Sequence, residues 1–532
     1  MSDRSLTSVI SQSLNYTSGR EDGRKVAFRL DDVESPSEVK HWISTGSTVL
    51  DVMISNDSEN RGLPTGKIGV LYGSSGCMAP DTPMVVRLDG ESQTNLVNYA
   101  DIEDLIEDHT VEVPTTGGEW TEVVDFLDRG EKPGYRVTTT ISSFVCSYDH
   151  LVQTTTGEPE PDSWTLASDL KVGDTVTTET GEMVEVVEKE HTQPQRFFDI
   201  TVANPNSAYV ACGVVHHNSG KSLIASHVMA DCQQQGGVAV YIDTEAAADF
   251  SFMKVIGIDP EGDFLYVAEN RLEKIFDMVE TVIEKQNQRE DDDRPVVVVI
   301  DSIAGSVTEN EIEGSYSKEG FNTDKAIVLS RAMRKITGLV GRQNVLLLFT
   351  NQIRTDPSVM YGDPHTTPGG KAVEFHSSIR IKMRKAKRIK ENGEIVGAEI
   401  RPQITKNRLA PPDRHTSFDL YFNSGIDDYG NWFDEMKSRD VIKKSGSGWY
   451  EIKKEDGSSF TKSELKEGSD KDEPYKIQQG DFIRRLHEDV NFRSRMYDRL
   501  SSNIVHEYES GWVDRSDKEY VAMDEDFTAD ED

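Results

Sequence analysis

Two short stretches lie far apart in the chain and make chemical sense together. Gly73-Ser74-Ser75-Gly76 ends one run, and Ser219-Gly220-Lys221-Ser222 begins another. Placed end to end they read G-S-S-G-S-G-K-S, which satisfies the phosphate-binding pattern G-x-x-x-x-G-K-[ST]. Such a loop wraps phosphate with backbone N–H groups, so glycine stands where the chain passes close. Lys221 would reach the outer phosphates and Ser222 would hold Mg²⁺. Residues 77–218, which separate the halves, open on Cys77 and close on His217-Asn218. The thiol of Cys77, the amide of Asn218 and the hydroxyl of Ser219 are competent nucleophiles. Cys77 can attack the Gly76 carbonyl and turn the amide into a thioester. Ser219 can then take over the acyl group, and Asn218 can cyclise onto its own carbonyl. The remaining ester rearranges to a Gly76–Ser219 peptide bond. These residue types predict a segment that cuts itself out and rejoins its flanks.

A phosphate loop needs a strand before it and a helix after it, the helix aiming its positive end at the anion. Val70-Leu71-Tyr72 supplies the strand end and Leu223 to Met229 the helix. Val238 to Asp243, Val296 to Asp301 and Val345 to Thr350 read as strands covered on both faces, because they do not alternate. Arg271 to Gln286 and Ala326 to Leu339 read as helices between them. That alternation predicts a parallel, doubly wound α/β sheet. Asp301, closing its strand, suits Mg²⁺ positioning, and Glu245, just past another strand, suits orientation of an attacking water.

The chain has 532 residues, 36% apolar and 29% charged, which bounds it to about three or four globular domains. No apolar run approaches the ~20 residues of a membrane span. Met1 to Ser13 carry no charged-then-apolar signal pattern. Four cysteines do not make a disulfide framework, so the expectation is a reduced, cytoplasmic protein whose Cys77 stays a thiol. The net charge of −36 is uneven. Residues 77–218 hold 7 Lys/Arg against 26 Asp/Glu, and residues 514–532 hold 2 against 9. The rest is far closer to neutral, and binding follows local patches rather than the total.

Residues 77–218 read as all-β. Short runs recur at Met84–Leu88, Tyr135–Val145, Val172–Thr177, Met183–Val187, Phe197–Val202 and Tyr209–Val215. Asp89-Gly90 and Pro133-Gly134 read as turns, and Asp101–Glu107 as one acidic helix. The segment resembles the mini-inteins, which share a horseshoe β-fold with hedgehog-type autoprocessing domains. Cys77 with Asp81-Thr82-Pro83-Met84-Val85 is similar to that family's opening block. Ser147-Tyr148-Asp149-His150 resembles its T-x-x-H block, with Ser147 where the family carries Thr. The resemblance implies that His150 acts on the first scissile amide. It also implies that Asp199, within Phe198–Val202, assists at Cys77, and that His217 aids cyclisation of Asn218.

The joined flanks resemble the RecA family of bacteria and their phages. The motifs, in family order, are Ile43-Ser44-Thr45-Gly46, Gly62–Gly66, Ile300-Asp301-Ser302, Glu311–Gly314, Ala332–Lys335, Asn351–Arg354 and Pro368–Lys371. The resemblance implies an ATP-dependent, Mg²⁺-requiring recombinase that forms helical filaments on single-stranded DNA and pairs it with double-stranded DNA. It places ATP against Gly73, Ser74, Ser75, Gly76, Ser219, Gly220, Lys221, Ser222 and Asp301. Asp249 and Phe252 would hold the adenine, and Gln352 would sense the γ-phosphate. Lys406 and Arg408 would reach the neighbouring subunit's nucleotide, Arg408 standing where the family more often has Lys. DNA would meet Ser330, Arg334, Arg354, Val359, Met360, Tyr361, Gly369, Gly370 and Lys371. The basic run Arg380 to Lys390 reads either as a solvated strand face or as a further contact.

The organisation expected is an N-terminal helix–strand oligomerisation segment (1–45), with a helix at Leu6–Leu14 and a strand at Val26–Leu30. A discontinuous RecA-like core follows (46–76 and 219–425), interrupted by the mini-intein (77–218). A small α/β C-terminal domain (426–512) and an acidic, autoinhibitory tail (513–532) end it. Three other readings stand beside this one: a motor or helicase on the same core, an insert that cleaves without ligating, and a purely structural β-insert.

Overall fold

The computed structural model describes residues 39–506 apart from 74–76, 92, 116–119, 149, 156–162, 169, 179–181, 203–207, 213, 218–220, 245–249, 288–292, 314–320, 353, 356–364, 367–370, 392–393, 422–423 and 466–470. The expected helix Leu6–Leu14, the strand Val26–Leu30 and the acidic tail lie outside the described residues.

Among the described residues, six parallel strands run side by side. Their order is Phe264–Ala268, Val238–Asp243, Val296–Asp301, Val345–Gln352, Ile68–Gly73 and Ile379–Glu391. Two of these, Val238–Asp243 and Val296–Asp301, have the bounds expected from sequence. The Val296–Ile300 run is apolar without alternation because both faces are covered. Val297 and Val299 pack with Ile224 and Val228 of the helix Lys221–Gln234. Val296, Val298 and Ile300 pack with Ile275 and Val279 of Leu272–Asn287 and with Leu329 and Met333 of Phe321–Val340. The sheet then turns antiparallel through a long hairpin, Ile379–Glu391 against Glu394–Asn407. In the sequence this hairpin shows itself only through the basic run Arg380 to Lys390. Ile379, Ile381 and Met383 point into the core, while Arg380 pairs with Glu374 at 2.8 Å and lies over the Tyr72 ring at 4.4 Å.

The Ser44-Thr45-Gly46 motif secures the entrance to this core. Gly46 has φ +88°, and a Cβ there would sit 2.8 Å from the His227 ring. The Asp51 carboxylate, fully buried, accepts from the Thr45 N–H at 2.8 Å and the Thr45 hydroxyl at 2.7 Å. Burial nonetheless pushes Asp51 up to about 7. Beyond the core, the helix Asp428–Ser438, a three-stranded sheet from Ile442 to Ile477 and the helices Gln479–Glu488 and Val490–Ile504 form the mixed C-terminal part.

The insert is β-rich, with one α-helix among its described residues, Ile102–Asp108. Its frame is a pair of twenty-residue strands, Trp120–Thr139 and Met183–Val202, running antiparallel with several bulges. Three sequence expectations change here. Pro133-Gly134 is not a turn but lies inside Trp120–Thr139. Gly134 serves close packing instead, since a Cβ there would meet the Cys146 carbonyl oxygen and Phe197 Cζ, each at 2.5 Å. The run Tyr135–Val145 is two strands folded at 140–142, where the Thr139 N–H reaches the Ser142 carbonyl at 2.8 Å. Tyr209–Val215 is likewise a hairpin of Ala208–Ala211 and Val214–His217, with Cys212 at φ 49°. Asp89 and Gly90 do turn, at φ 52° and 72°.

Candidate nucleotide, nucleic-acid and self-processing sites

The strand Ile68–Gly73 delivers Gly73 to the carboxyl edge of the sheet, and the helix Lys221–Gln234 begins at Lys221. Open α/β sheets take ligands at this edge. Gln352 lies opposite Gly73 in the parallel register, and Asp301 lies opposite Asp243. The Asp301 carboxylate accepts the Tyr241 hydroxyl at 3.0 Å and the Thr350 hydroxyl at 2.5 Å. These two hydroxyls fix its direction at the strand end. Ser222 is exposed in the first turn of its helix. Phe252, half-buried, stands on the helix Phe250–Ile256 that follows Val238–Asp243. Ser74, Ser75, Gly76, Ser219, Gly220, Glu245 and Asp249 lie outside the described residues, as does the Gln352 side chain.

Among the described residues no three His, Cys, Asp or Glu side chains gather around a metal position. Mg²⁺ asks for less, since it takes one or two protein ligands and fills its shell with phosphate and water. A strand-end carboxylate steered by two hydroxyls, and a hydroxyl at a helix start on the same edge, fit that requirement.

A second surface lies on two helices of the core. Ser330 and Arg334 on Phe321–Val340, and Lys371 on Lys371–His376, line one cleft of about 450 Å³ with Ala326, Ala372, Phe375 and His376. The structure thus gathers three residues that sequence reading proposed separately. It adds Phe375, 69% exposed, and His376, neither of which was singled out. Their helix has six residues, too few for periodicity to reveal. Arg354 opens a short strand pairing with His365–Thr366 and its side chain is outside the described residues, as are Val359, Met360, Tyr361, Gly369 and Gly370.

Lys406, half-buried, and Arg408, exposed, are both tied to the end of the helix Lys371–His376. Lys406 Nζ donates to the carbonyls of Glu374 at 2.6 Å and Phe375 at 3.1 Å, and Arg408 donates to that of Phe375 at 2.8 Å. Cations at the last carbonyls of a helix are favourable. Burial, then the charges of Arg408 and Arg380, lowers the Lys406 pKa. Burial, then Arg408, Arg334 and Lys406, lowers that of His376.

In the insert, Cys77 is fully buried among Ala79, Val145 and Phe197. Its N–H lies 3.3 Å from the Ser147 hydroxyl, and its carbonyl accepts the Ser147 N–H at 2.9 Å. His150, also fully buried, follows three residues later, its N–H on the Ser147 carbonyl at 3.0 Å. Met78 and Phe198 exchange both backbone hydrogen bonds at 2.8 Å, which brings Asp199 one residue from the partner of Cys77's neighbour. Val152 pairs with His216, so the strand after His150 runs beside the strand ending at His217. The His217 side chain and Asn218 lie outside the described residues. Sequence reading missed Tyr99 and Tyr209, whose buried hydroxyls stand 3.0 Å apart near this chamber.

The profile of the RecA N-terminal domain matches residues 213–427. Protein RecA of Aquifex pyrophilus is 34% identical over 291 residues, 54% of this chain and 78% of that protein. This chain belongs to the RecA family. RecA of Lactobacillus acidophilus is 31% identical over 51% of this chain and 70% of its own length, and RecA of Bacillus subtilis 34% over 48% and 71%. Among solved structures, the VidaL intein is similar at 26% identity, covering 28% of this chain and 100% of that one, with a TM-score of 0.25. A DnaB intein from Synechocystis sp. PCC 6803 is similar at 20% identity over 27% and 99%, with a TM-score of 0.23. The RecA N-terminal match spans five of the six parallel strands, among them those that carry Asp243, Asp301 and Gln352, and leaves out Ile68–Gly73.

Proposed function

We propose that the chain is the precursor of an ATP-dependent, single-stranded-DNA-binding recombinase whose residues 77–218 leave by cis protein splicing. The observation that carries this is the position of the break. Gly73 and Lys221 occupy the end of a central parallel strand and the start of the next core helix, the two flanks of a phosphate loop. The insert stands between them.

After excision the joined loop Gly73–Ser222 cradles the triphosphate with its backbone and Lys221. Ser222 and Asp301 hold Mg²⁺, which when bound neutralises charge on the transferring phosphoryl group. Glu245 orients the attacking water, Asp249 and Phe252 hold the adenine, and Gln352 reads the γ-phosphate on the strand beside Gly73. Lys406 and Arg408 act on a neighbour's nucleotide after leaving the helix end they cap here. The cleft at Ser330, Arg334 and Lys371, with Arg354, Val359, Met360, Tyr361, Gly369 and Gly370, takes single-stranded DNA, and double-stranded DNA then pairs with it. The edge strand Phe264–Ala268 exposes Leu265 and Tyr266, which suits addition of a neighbour's segment 1–45 in a filament. The remaining domain assignments are those expected from sequence, and we place the protein in the cytoplasm.

In the insert, Ser147 and His150 hold the Gly76–Cys77 amide while Cys77 attacks it. Asp199 assists that step, Ser219 accepts the acyl group, and His217 promotes Asn218 cyclisation. Expression of the chain followed by intact-mass measurement tests this. Expected are a product joined at Gly76–Ser219 and a free piece of residues 77–218. Only full-length chain, or unjoined flanks, overturns it.

A further inference from the structure

The helix Phe321–Val340 presents two rows of side chains to two different parts of the host. Ala326, Ser330 and Arg334 follow one another at the four-residue spacing of one helix face and line the cleft with Lys371. Lys325, Leu329 and Met333 form the neighbouring row at the same spacing. Leu329 and Met333 are fully buried and pack with Val296, Val298 and Ile300 of the strand that ends at Asp301. Lys325 opens that row. Its ammonium donates to the Ala304 carbonyl at 3.0 Å and to the Ser306 carbonyl, both on the segment just after Asp301. Ordering a long lysine side chain costs rotamer freedom, and charge-assisted bonds to two carbonyls offset that cost.

The segment that Lys325 grips is pinned at both ends. At its start the Thr244 N–H donates to the Asp301 carbonyl at 2.9 Å. The Thr244 hydroxyl accepts the Ser302 N–H at 2.8 Å and donates to the Ser302 carbonyl at 2.8 Å. In the middle the Gly305 N–H donates to the Ser302 hydroxyl at 3.1 Å, and the Ser306 hydroxyl to the Ile303 carbonyl at 2.8 Å. At its end the Val307 N–H donates to the Asn270 carbonyl, and the Val307 carbonyl accepts the Leu272 N–H, each at 2.8 Å. Ser302, Ile303 and Ser306 are buried. A segment tied this closely moves as a unit, and Asp301, steered by Tyr241 and Thr350, stands at its head. A short path of hydrogen bonds and backbone thus runs from the cleft helix, through Lys325, to the strand-end carboxylate.

We propose that Lys325 is a positioning residue that couples the cleft to the nucleotide edge, its grip on the Ala304 and Ser306 carbonyls making single-stranded DNA and nucleotide favour each other's binding. This rests on the recombinase reading and names a residue that it lacked. DNA that settles the row Ala326, Ser330 and Arg334 also settles Lys325 on the adjoining row, and with it the segment led by Asp301. Nucleotide held at that edge settles the same segment from the other side. Coupling between two binding sites is reciprocal: each ligand changes the other's affinity by the same factor.

The test measures that factor on the spliced product of the full chain. Affinity for a fluorescent oligothymidylate is read with and without a non-hydrolysable ATP analogue and Mg²⁺, and affinity for the analogue with and without the oligonucleotide. In Lys325→Met the coupling factor is expected to fall about tenfold in both arms, while the affinity for either ligand alone stays close to that of the unsubstituted protein. Lys325→Arg keeps a cation with several donors and is expected to keep the factor. Lys325→Gln, with a single amide group, is read alongside and is expected to lose part of it, so the test stands even if the Met variant does not fold. An unchanged factor in Lys325→Met or Lys325→Gln overturns the proposal. So does a lower thermal midpoint with both affinities weakened and the factor intact, since that is a purely structural role. An unsubstituted product whose DNA affinity ignores the analogue overturns the ATP-dependent recombinase reading itself, and this inference with it.

Discussion

The host site and the insert site solve opposite problems. The host places its chemistry on the open edge of a sheet. Asp301 and Gln352 end buried strands, and the groups that complete them belong to connecting segments, Ser74–Gly76, Ser219-Gly220 and Glu245. The insert places its chemistry inside. Cys77, Ser147 and His150 are fully buried and Asp199 nearly so, held by backbone pairing between Met78 and Phe198 and between Cys77 and Ser147. An edge site leaves room for a large charged substrate. A buried site excludes water from the groups it holds. On the proposed reading the insert acts first, and the host's loop stays divided between Gly73 and Lys221 until it has.

The largest expected effect falls on the insert. Cys77→Ala removes the nucleophile and abolishes joined product, a loss beyond about a thousandfold in splicing rate, checked by intact mass. If joined product persists, the buried chamber is not where excision begins. In the spliced product, Asp301→Asn keeps the size and both hydroxyl neighbours but removes the charge. DNA-dependent ATP hydrolysis should fall by about two orders of magnitude in kcat, measured by phosphate release. An unchanged kcat would remove Asp301 from the edge site. Arg334→Ala in the cleft should weaken single-stranded DNA binding and reduce the salt slope by about one, read by fluorescence anisotropy across a salt titration. An intact slope would mean the cleft is not the DNA surface.

The smallest effect concerns stability. Asp51, raised by burial to about 7 when folded, binds its proton more tightly folded than unfolded. Its contribution is thus fully present below about pH 4 and lost as pH rises through about 7. Asp51→Asn should flatten that part of the host's stability-against-pH curve, followed by denaturant melts from pH 4 to 8. A slope identical to that of the unsubstituted protein would assign the titration elsewhere.

Legibility from sequence follows the same division. The strands Val238–Asp243 and Val296–Asp301 were readable residue for residue, because full burial on both faces leaves an unbroken apolar run. The insert's strands were readable as β but not as pairs. Its two long strands bend through bulges that break the two-residue period, and Gly134 looks like a turn residue when it answers a packing demand. Cys77 stands out because it borders a divided phosphate loop, whereas Ser147, His150 and Asp199 are singled out only by the resemblance of their blocks to those of the mini-inteins; all four are buried. Tyr99 and Tyr209 were not legible, since two aromatics 110 positions apart look like core until their hydroxyls are seen to meet. Phe375 and His376 were hidden by the shortness of their helix. The hairpin Ile379–Asn407 was read for its charges, which masked the buried Ile379, Ile381 and Met383 behind them.

The central claim is that excision creates the nucleotide site. It is tested most directly by ATP affinity, measured calorimetrically on the spliced product and on the full chain locked by Cys77→Ala and Asn218→Ala. The account predicts saturable, Mg²⁺-dependent binding to the spliced product and none to the locked chain. Equal affinity for both would contradict it.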